Sequence, residues 1–134
     1  IGQVKPDDAL EMRHGLMKMI SMNVGNVAGM ARGTVDYDAA AAQQAADNLA
    51  ALGMLDVDAL WPEGTATGEI GDSRALPAVW SDRTGFLAQW EAFGTATQAM
   101  QATAGDGLDA LKVGLGEVGK TCGACHDDYR QSSS

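Results

Sequence analysis

Positive charge is scarce in this chain: Lys and Arg number 9 against 18 Asp and Glu, a net charge of −9. That balance argues against nucleic acid and anionic membranes as partners, since both repel an acidic protein. No apolar run approaches the ~20 residues needed to span a bilayer. No basic stretch opens at Ile1, so any secretory leader is expected to have been removed. Only two cysteines are present. A disulfide between them would close a two-residue loop and stabilise little through chain entropy, so the pair is not there to brace the fold. Strand-like alternation and internal repeats are lacking too. At 134 residues the chain reads as one domain, residues 1–134, able to bury a core without staples.

Helical periodicity fills the chain instead. After Pro6-Asp7-Asp8, a good helix start, an apolar seam runs through Leu10, Arg13, Met17, Ile20, Val24, Val27 and Ala31, with Gly33 as the stop. A second helix is expected from about Asp38 to Val57, striped by Ala41, Ala45, Asn48, Leu52 and Leu55. Its many alanines favour helix and let a neighbour approach closely. Between Trp61 and Pro77, prolines, glycines and hydroxyl residues mark a long connection without a period. A third helix is expected from Pro77 to about Ala104, with Val79, Arg83, Phe86, Trp90, Phe93, Thr97, Met100 and Ala104 at 4-3 spacing. Gly105-Asp106-Gly107 breaks it. The fourth carries Leu108, Leu111, Leu115, Val118, Cys122, Cys125 and Tyr129. Four amphipathic helices predict an all-α, antiparallel four-helix bundle.

Both cysteines therefore lie on the seam of the last helix. Cys122, Cys125 and His126 spell C-x-x-C-H, the attachment signature of a c-type haem, with eight residues after the histidine. On a helix the cysteines stand one turn apart, and His126, four residues from Cys122, shares their side. Two thioethers could hold one porphyrin edge while the imidazole reaches the iron, all between helices near the C-terminal motif. Zinc would need all four Cys and His residues of the chain, and the second His pair of that pattern is missing. A redox dithiol would need a βαβ context.

The chain resembles the cytochromes c′, the class II c-type cytochromes, along essentially its whole length. The resemblance rests on Arg13-His14-Gly15-Leu16-Met17, on Ala59 to Thr65, on Phe86 to Trp90, and most strongly on the run from Gly119 to Gln131. Small class I cytochromes usually carry the motif near the N-terminus and use a later Met, and no Met follows His126 here. The resemblance implies a left-handed bundle, often a homodimer, in the bacterial periplasm. It implies one covalent haem c per chain, His126 as proximal ligand of five-coordinate iron, and NO or CO as ligands, with roles in NO handling or electron transfer. By position Met17 would be the distal residue and Arg13 the propionate-binding arginine. His14 stands where the family commonly has glutamine.

Other residues have plainer readings beside their functional ones. Arg13 sits on a seam, and a buried arginine needs an anion; a propionate would serve, as would an acid or the open end of the bundle. His14 is a bystander, a propionate-edge contact or, least favoured, an iron ligand. Arg130 covers the proximal imidazole or is simply solvated. Thr67 and Glu69 in the long connection would lean on the haem rim. Trp61, Trp80 and Trp90 read as core or haem-edge packing. Met12, Leu16 and Met19 form a second stripe on the first helix, a loose rim in a monomer or, as the resemblance favours, a dimer face formed with the second helix.

Three functions follow. The first is a gas-binding haem protein with an open distal side. The second is a low-spin electron carrier with Met12 or Met17 as second axial ligand. The third, a peroxidase-like enzyme using His14 and Arg13, ranks last, and an unidentified redox partner is expected beside the gaseous ligands.

Overall fold

The computed structural model describes residues 4–132. Five α-helices follow one another: α1 (Pro6–Arg32), α2 (Ala39–Gly53), the single turn α3 (Ala78–Ser81), α4 (Arg83–Thr103) and α5 (Leu108–Tyr129). The four long ones form the antiparallel bundle: α1 packs on α2 and α5, and α4 packs on the same two. Helices α1 and α2, and α4 and α5, are joined by short connections, whereas α2 reaches its neighbour α4 through the long connection and α3.

The ends follow from local chemistry. Pro6 opens α1 with Asp7 and Asp8 in its first turn, where acids offset the helix dipole. Gly33 closes it at φ 78°, returning its N–H to the last carbonyls of the helix. Asp38 caps α2 by accepting from the Ala41 N–H at 3.0 Å. The bundle is closed by Leu49, Met100, Leu111, Val27 and Val118, all fully buried. Each such side chain stabilises by roughly 1.5–3 kcal/mol.

Several expectations need correction. The buried stripe of α1 is Ala9, Arg13, Leu16, Ile20, Asn23, Val27 and Met30. It shares only Arg13, Ile20 and Val27 with the expected seam. Leu16 is core, at 3 % exposure, and so does not belong to the outer stripe, while Met12 and Met19 stay outside at 45 % and 47 %. In α2 the buried positions are Ala42, Ala45, Ala46, Leu49, Ala50 and Gly53, while Ala41, Asn48 and Leu55 are exposed. Neighbouring positions on a helix differ by only 100°, so a broad apolar stripe does not say which edge meets the partner helix.

The second helix also ends at Gly53, not Val57. The third is broken at Asp82, which ends α3 and caps α4 by accepting from the Gly85 N–H at 3.3 Å. A lone antiparallel bridge, Ala75 to Arg130, is the one extended pairing among the described residues.

Gly53 stops α2 where α2 and α4 nearly touch. A Cβ on Gly94 would lie 2.7 Å from the Gly53 carbonyl oxygen, and one on Gly53 would lie 3.0 Å from Gly94 Cα. Backbone offers no room to yield, so Gly94→Ala is expected to destabilise by about 1–3 kcal/mol. Gly116→Ala, on a helical glycine with nothing within 4 Å, should instead stabilise by about 0.5–1 kcal/mol. Urea denaturation of the two variants checks both signs.

Candidate functional site

Between α1, α4, α5 and the connection that follows α2 lies a cavity of about 530 Å³, within the range of roughly 300–1,000 Å³ usual for cofactor sites. Its walls are mostly apolar: Ile20 and Val24 from α1, Val79 from α3, Phe86 and Phe93 from α4. Trp61 and Tyr129 stand edge-on to Phe86, with ring centroids 4.9 and 5.4 Å away.

Cys122, Cys125 and His126 all line this one space. Their placement follows from α5 register: Val118 and Tyr129, one on either side of the motif, are buried, so the face between them points inward. The end of α5 is then tied down. Leu76 N–H donates to the Tyr129 carbonyl at 2.9 Å and Gln131 N–H to the Arg74 carbonyl at 2.7 Å. The Tyr129 hydroxyl donates to Asp82 Oδ2 at 2.7 Å. His126 therefore sits on a helix end held by the connection and by the α4 cap.

Burial sets the protonation of the motif. It pushes both thiols up, Cys125 to about 11, with the charges of Cys122 and Asp128 adding to the effect. His126 is held below the ordinary imidazole value, first by burial and then by the positive charge of Arg130. A neutral imidazole keeps a lone pair for a metal.

Arg13 is the least expected feature in its surroundings. It is 3 % exposed, yet no carboxylate pairs with it among the described residues. Nη1 donates to the Leu60 carbonyl at 3.1 Å and to Thr65 Oγ1 at 2.8 Å. Nη2 donates to the Thr65 carbonyl at 2.7 Å and to Ser73 Oγ at 2.9 Å. The guanidinium also lies 5.5 Å from the Trp61 ring centre. Neutral oxygens accept from both terminal nitrogens but bring no counter-charge, and burial pulls its pKa down. A buried cation on the wall of a cavity, lacking a counter-charge, fits a carboxylate-bearing guest. With two thiols and an imidazole on the same cavity, the residues present fit haem.

Met17 and His14 line the cavity, as does Arg130. Met17 is 36 % exposed rather than packed in the core, and His14 Nδ1 lies 3.9 Å from Asp72. The structure does not bring Met12, Thr67 or Glu69 to the site. Met12 is on the outer face of α1, so it leaves the set of axial candidates. Thr67 Oγ1 donates to Gln131 Oε1 at 2.9 Å, and the Glu69 carboxylate accepts from Ala66 N–H at 3.0 Å. Thr67 ties the connection to the residues after α5, and Glu69 braces the connection itself. Trp61 and Trp90 line the cavity, and Trp80 instead donates through Nε1 to the Trp61 carbonyl at 2.9 Å.

Sequence reasoning missed Lys18, Arg74 and Gln89, which also line it. Lys18 could have been found, being one turn after His14 and next to Met17. Arg74 lies in the aperiodic connection and gave no signal.

The Tyr129–Asp82 bond makes a pH prediction. That bond, before burial, pushes the phenol up to about 12. A folded-state value above the unfolded ~10 gives stability that is complete below pH ~10 and lost as pH rises towards 12. Tyr129→Phe should therefore unfold more readily at neutral pH and show a flatter alkaline decline, read by urea titrations across that window.

The family model for cytochrome c′ matches residues 8–130. Cytochrome c-554 of Cereibacter sphaeroides is 41 % identical over 91 % of this chain and 80 % of its own. The structure of cytochrome c′ from Rhodobacter spheriodes superposes with a TM-score of 0.92 at 36 % identity, covering 96 % of this chain and 99 % of that one. Two variants of the Alcaligenes xylosoxidans protein are similar as well, one bound to carbon monoxide and one a nitric oxide complex. Their TM-scores are 0.83 and 0.84, at 31 % and 32 % identity, each over 98 % of this chain and 100 % of theirs. With the motif, the cavity and the bundle all in agreement with that match, the chain belongs to the cytochrome c′ family, and its cofactor is covalently attached haem c.

Proposed function

We propose that this chain is a periplasmic haem protein that binds NO or CO on five-coordinate iron and takes part in NO handling or electron transfer. The observation that carries it is the sharing of one cavity by Cys122, Cys125 and His126 from α5 and Met17 from α1. Haem supplies the iron that coordinates the gas, and each of these side chains has a part around it.

Cys122 and Cys125 would hold the porphyrin covalently, as thioethers to its two vinyl groups. His126 would hold the iron through an imidazole nitrogen. A propionate would give the buried Arg13 guanidinium the counter-charge it otherwise lacks, while its Nη groups stay bonded to the connection. Met17 lines the same cavity from α1 and brings no hydrogen-bond donor, so it would favour uncharged diatomics over polar guests. The apolar walls exclude larger ones.

The gas complexes of the Alcaligenes xylosoxidans variants support this reading. Both pairs of Arg13 N–H groups are committed to the connection, which disfavours a peroxidase role with His14. No described helix is long and apolar enough to cross a membrane. A homodimer through α1 and α2 would cover Met12, Met19 and Met22, the last 60 % exposed.

One observation favours a second reading. Met17 is a flexible thioether on the cavity wall, outside the packed core, and a Met/His pair would make the protein a low-spin electron carrier with a raised potential. Met17→Leu separates the two. A six-coordinate protein would turn high-spin and begin to bind CO rapidly in the variant. A five-coordinate one would keep its spectrum and its CO binding.

A further inference from the structure

Three oxidisable aromatic side chains, Trp61, Trp90 and Tyr129, line the cavity, and their polar surroundings differ in kind. Trp90 Nε1 donates to the Leu55 carbonyl at 2.9 Å, a neutral oxygen too weakly basic to take the proton away. Trp61 has the Arg13 guanidinium 5.5 Å from its ring centre, and a neighbouring cation opposes loss of an electron from that ring. Tyr129 alone of the three donates to a carboxylate, Asp82 Oδ2 at 2.7 Å. Tyr37, the other tyrosine of the chain, donates to the Ala104 carbonyl and lies outside the cavity lining.

The Tyr129–Asp82 pair also runs from inside to outside. The Tyr129 ring is buried and edge-on to Phe86, with centroids 5.4 Å apart, whereas Asp82 is exposed. Gly85 keeps the contact open, since a Cβ there would lie 2.6 Å from the Tyr129 hydroxyl oxygen. Asp82 Oδ1 accepts from the Gly85 N–H at 3.3 Å, which fixes the carboxylate and leaves Oδ2 to the phenol.

We propose that Tyr129, with Asp82 as its proton acceptor, is a redox-active residue that carries oxidising equivalents of hydrogen peroxide from the haem to the surface. This goes beyond gas binding but rests on the same open iron, which peroxide must reach. Tyr129 loses one electron to the peroxide-oxidised haem and its phenolic proton to Asp82 Oδ2, leaving a neutral phenoxyl radical. An oxidised phenol is a strong acid, so a fixed base at hydrogen-bond distance joins the two losses in one event. Asp82, being exposed, passes the proton to solvent. An external one-electron reductant, ascorbate in the test below, then returns one electron and one proton to Tyr129. Two rounds supply the electrons, and solvent the protons, that turn one peroxide into two waters.

The test mixes the haem-loaded protein with excess hydrogen peroxide, freezes it within seconds for EPR, and follows haem bleaching by absorbance. A tyrosyl signal is expected, narrowing when the protein carries ring-deuterated tyrosine. In the unmutated chain the spin trap 2-methyl-2-nitrosopropane should tag Tyr129, located by peptide mass. Tyr129→Phe should abolish the signal and bleach several-fold faster, and ascorbate should protect its haem less. Asp82→Asn keeps a capping oxygen but no base, and should lower the signal about ten-fold or more. Tyr37→Phe should change neither reading. A signal that survives Tyr129→Phe, a tag on Tyr37 or a tryptophan instead, peroxide consumed without a tyrosyl signal, or equal bleaching would each overturn the relay. An undiminished signal in Asp82→Asn would overturn the role of Asp82. Iron closed to CO would overturn the gas-binding reading instead, and the same peroxide experiment on Met17→Leu, with the site opened, would still decide for or against Tyr129.

Discussion

Cys122→Ser with Cys125→Ser should leave no haem on the polypeptide after denaturation. The hydroxyl of serine is too weak a nucleophile to add to a vinyl group, whereas the thiol does so through its sulfur. Both thiols are half-buried and face the same space as His126, so no other side chain is placed to substitute for them. The change is nearly isosteric, and the bundle core of Leu49, Met100, Leu111 and Val118 does not include these positions. Either single variant should keep one thioether and so retain haem on a denaturing gel. Haem staining and intact-mass measurement give the result directly. Haem persisting in the double variant would place attachment elsewhere.

Arg13→Met should be the most destabilising single change on α1. Arg13 joins α1 to the connection through four bonds, to Leu60, Thr65 twice, and Ser73. Methionine fills much of the volume but leaves buried carbonyls without a donor, at about 1–3 kcal/mol for each group stranded. Ser73 Oγ still donates to the Thr65 carbonyl at 2.6 Å, which limits the damage. The expected total is a loss of about 3 kcal/mol or more in urea denaturation, with faster proteolysis between residues 61 and 76. Arg13→Lys should recover only part of this, since one ammonium cannot reproduce a planar fork reaching four acceptors. A loss below about 1 kcal/mol would mean that the connection holds itself.

The molecule was legible in its sequence to an uneven degree. Helix existence came through because α4 and α5 keep one strict seam: Phe86, Phe93, Thr97 and Met100 are buried where the period put them. The break at Asp82 was not legible, because an N-cap inside an apolar period looks like any other polar residue until its backbone turns. On α1 the period was right and its phase half wrong. Leu16 faces the other helices and Met17 faces the cavity, and a helical wheel places both on one apolar side.

The site divides in the same way. Cys122, Cys125 and His126 were found because their chemistry is written in contiguous residues. Arg13 was found because a charge on a seam is an anomaly. Its actual partners, Thr65 and Ser73, lie 52 and 60 residues away in a stretch without periodicity. Contacts across such distances are made by tertiary packing, and composition alone carried no trace of them. Thr67 and Glu69, from the same stretch, were drawn to the haem only by being polar residues of the long connection.

The absorption spectrum of the ferric and dithionite-reduced protein, before and after CO, tests the central claim most directly. An iron held by His126 alone, opposite a non-bonding Met17, predicts a high-spin spectrum that shifts at once when CO is added. A sharp low-spin spectrum indifferent to CO would contradict it and make Met17 the sixth ligand of an electron carrier.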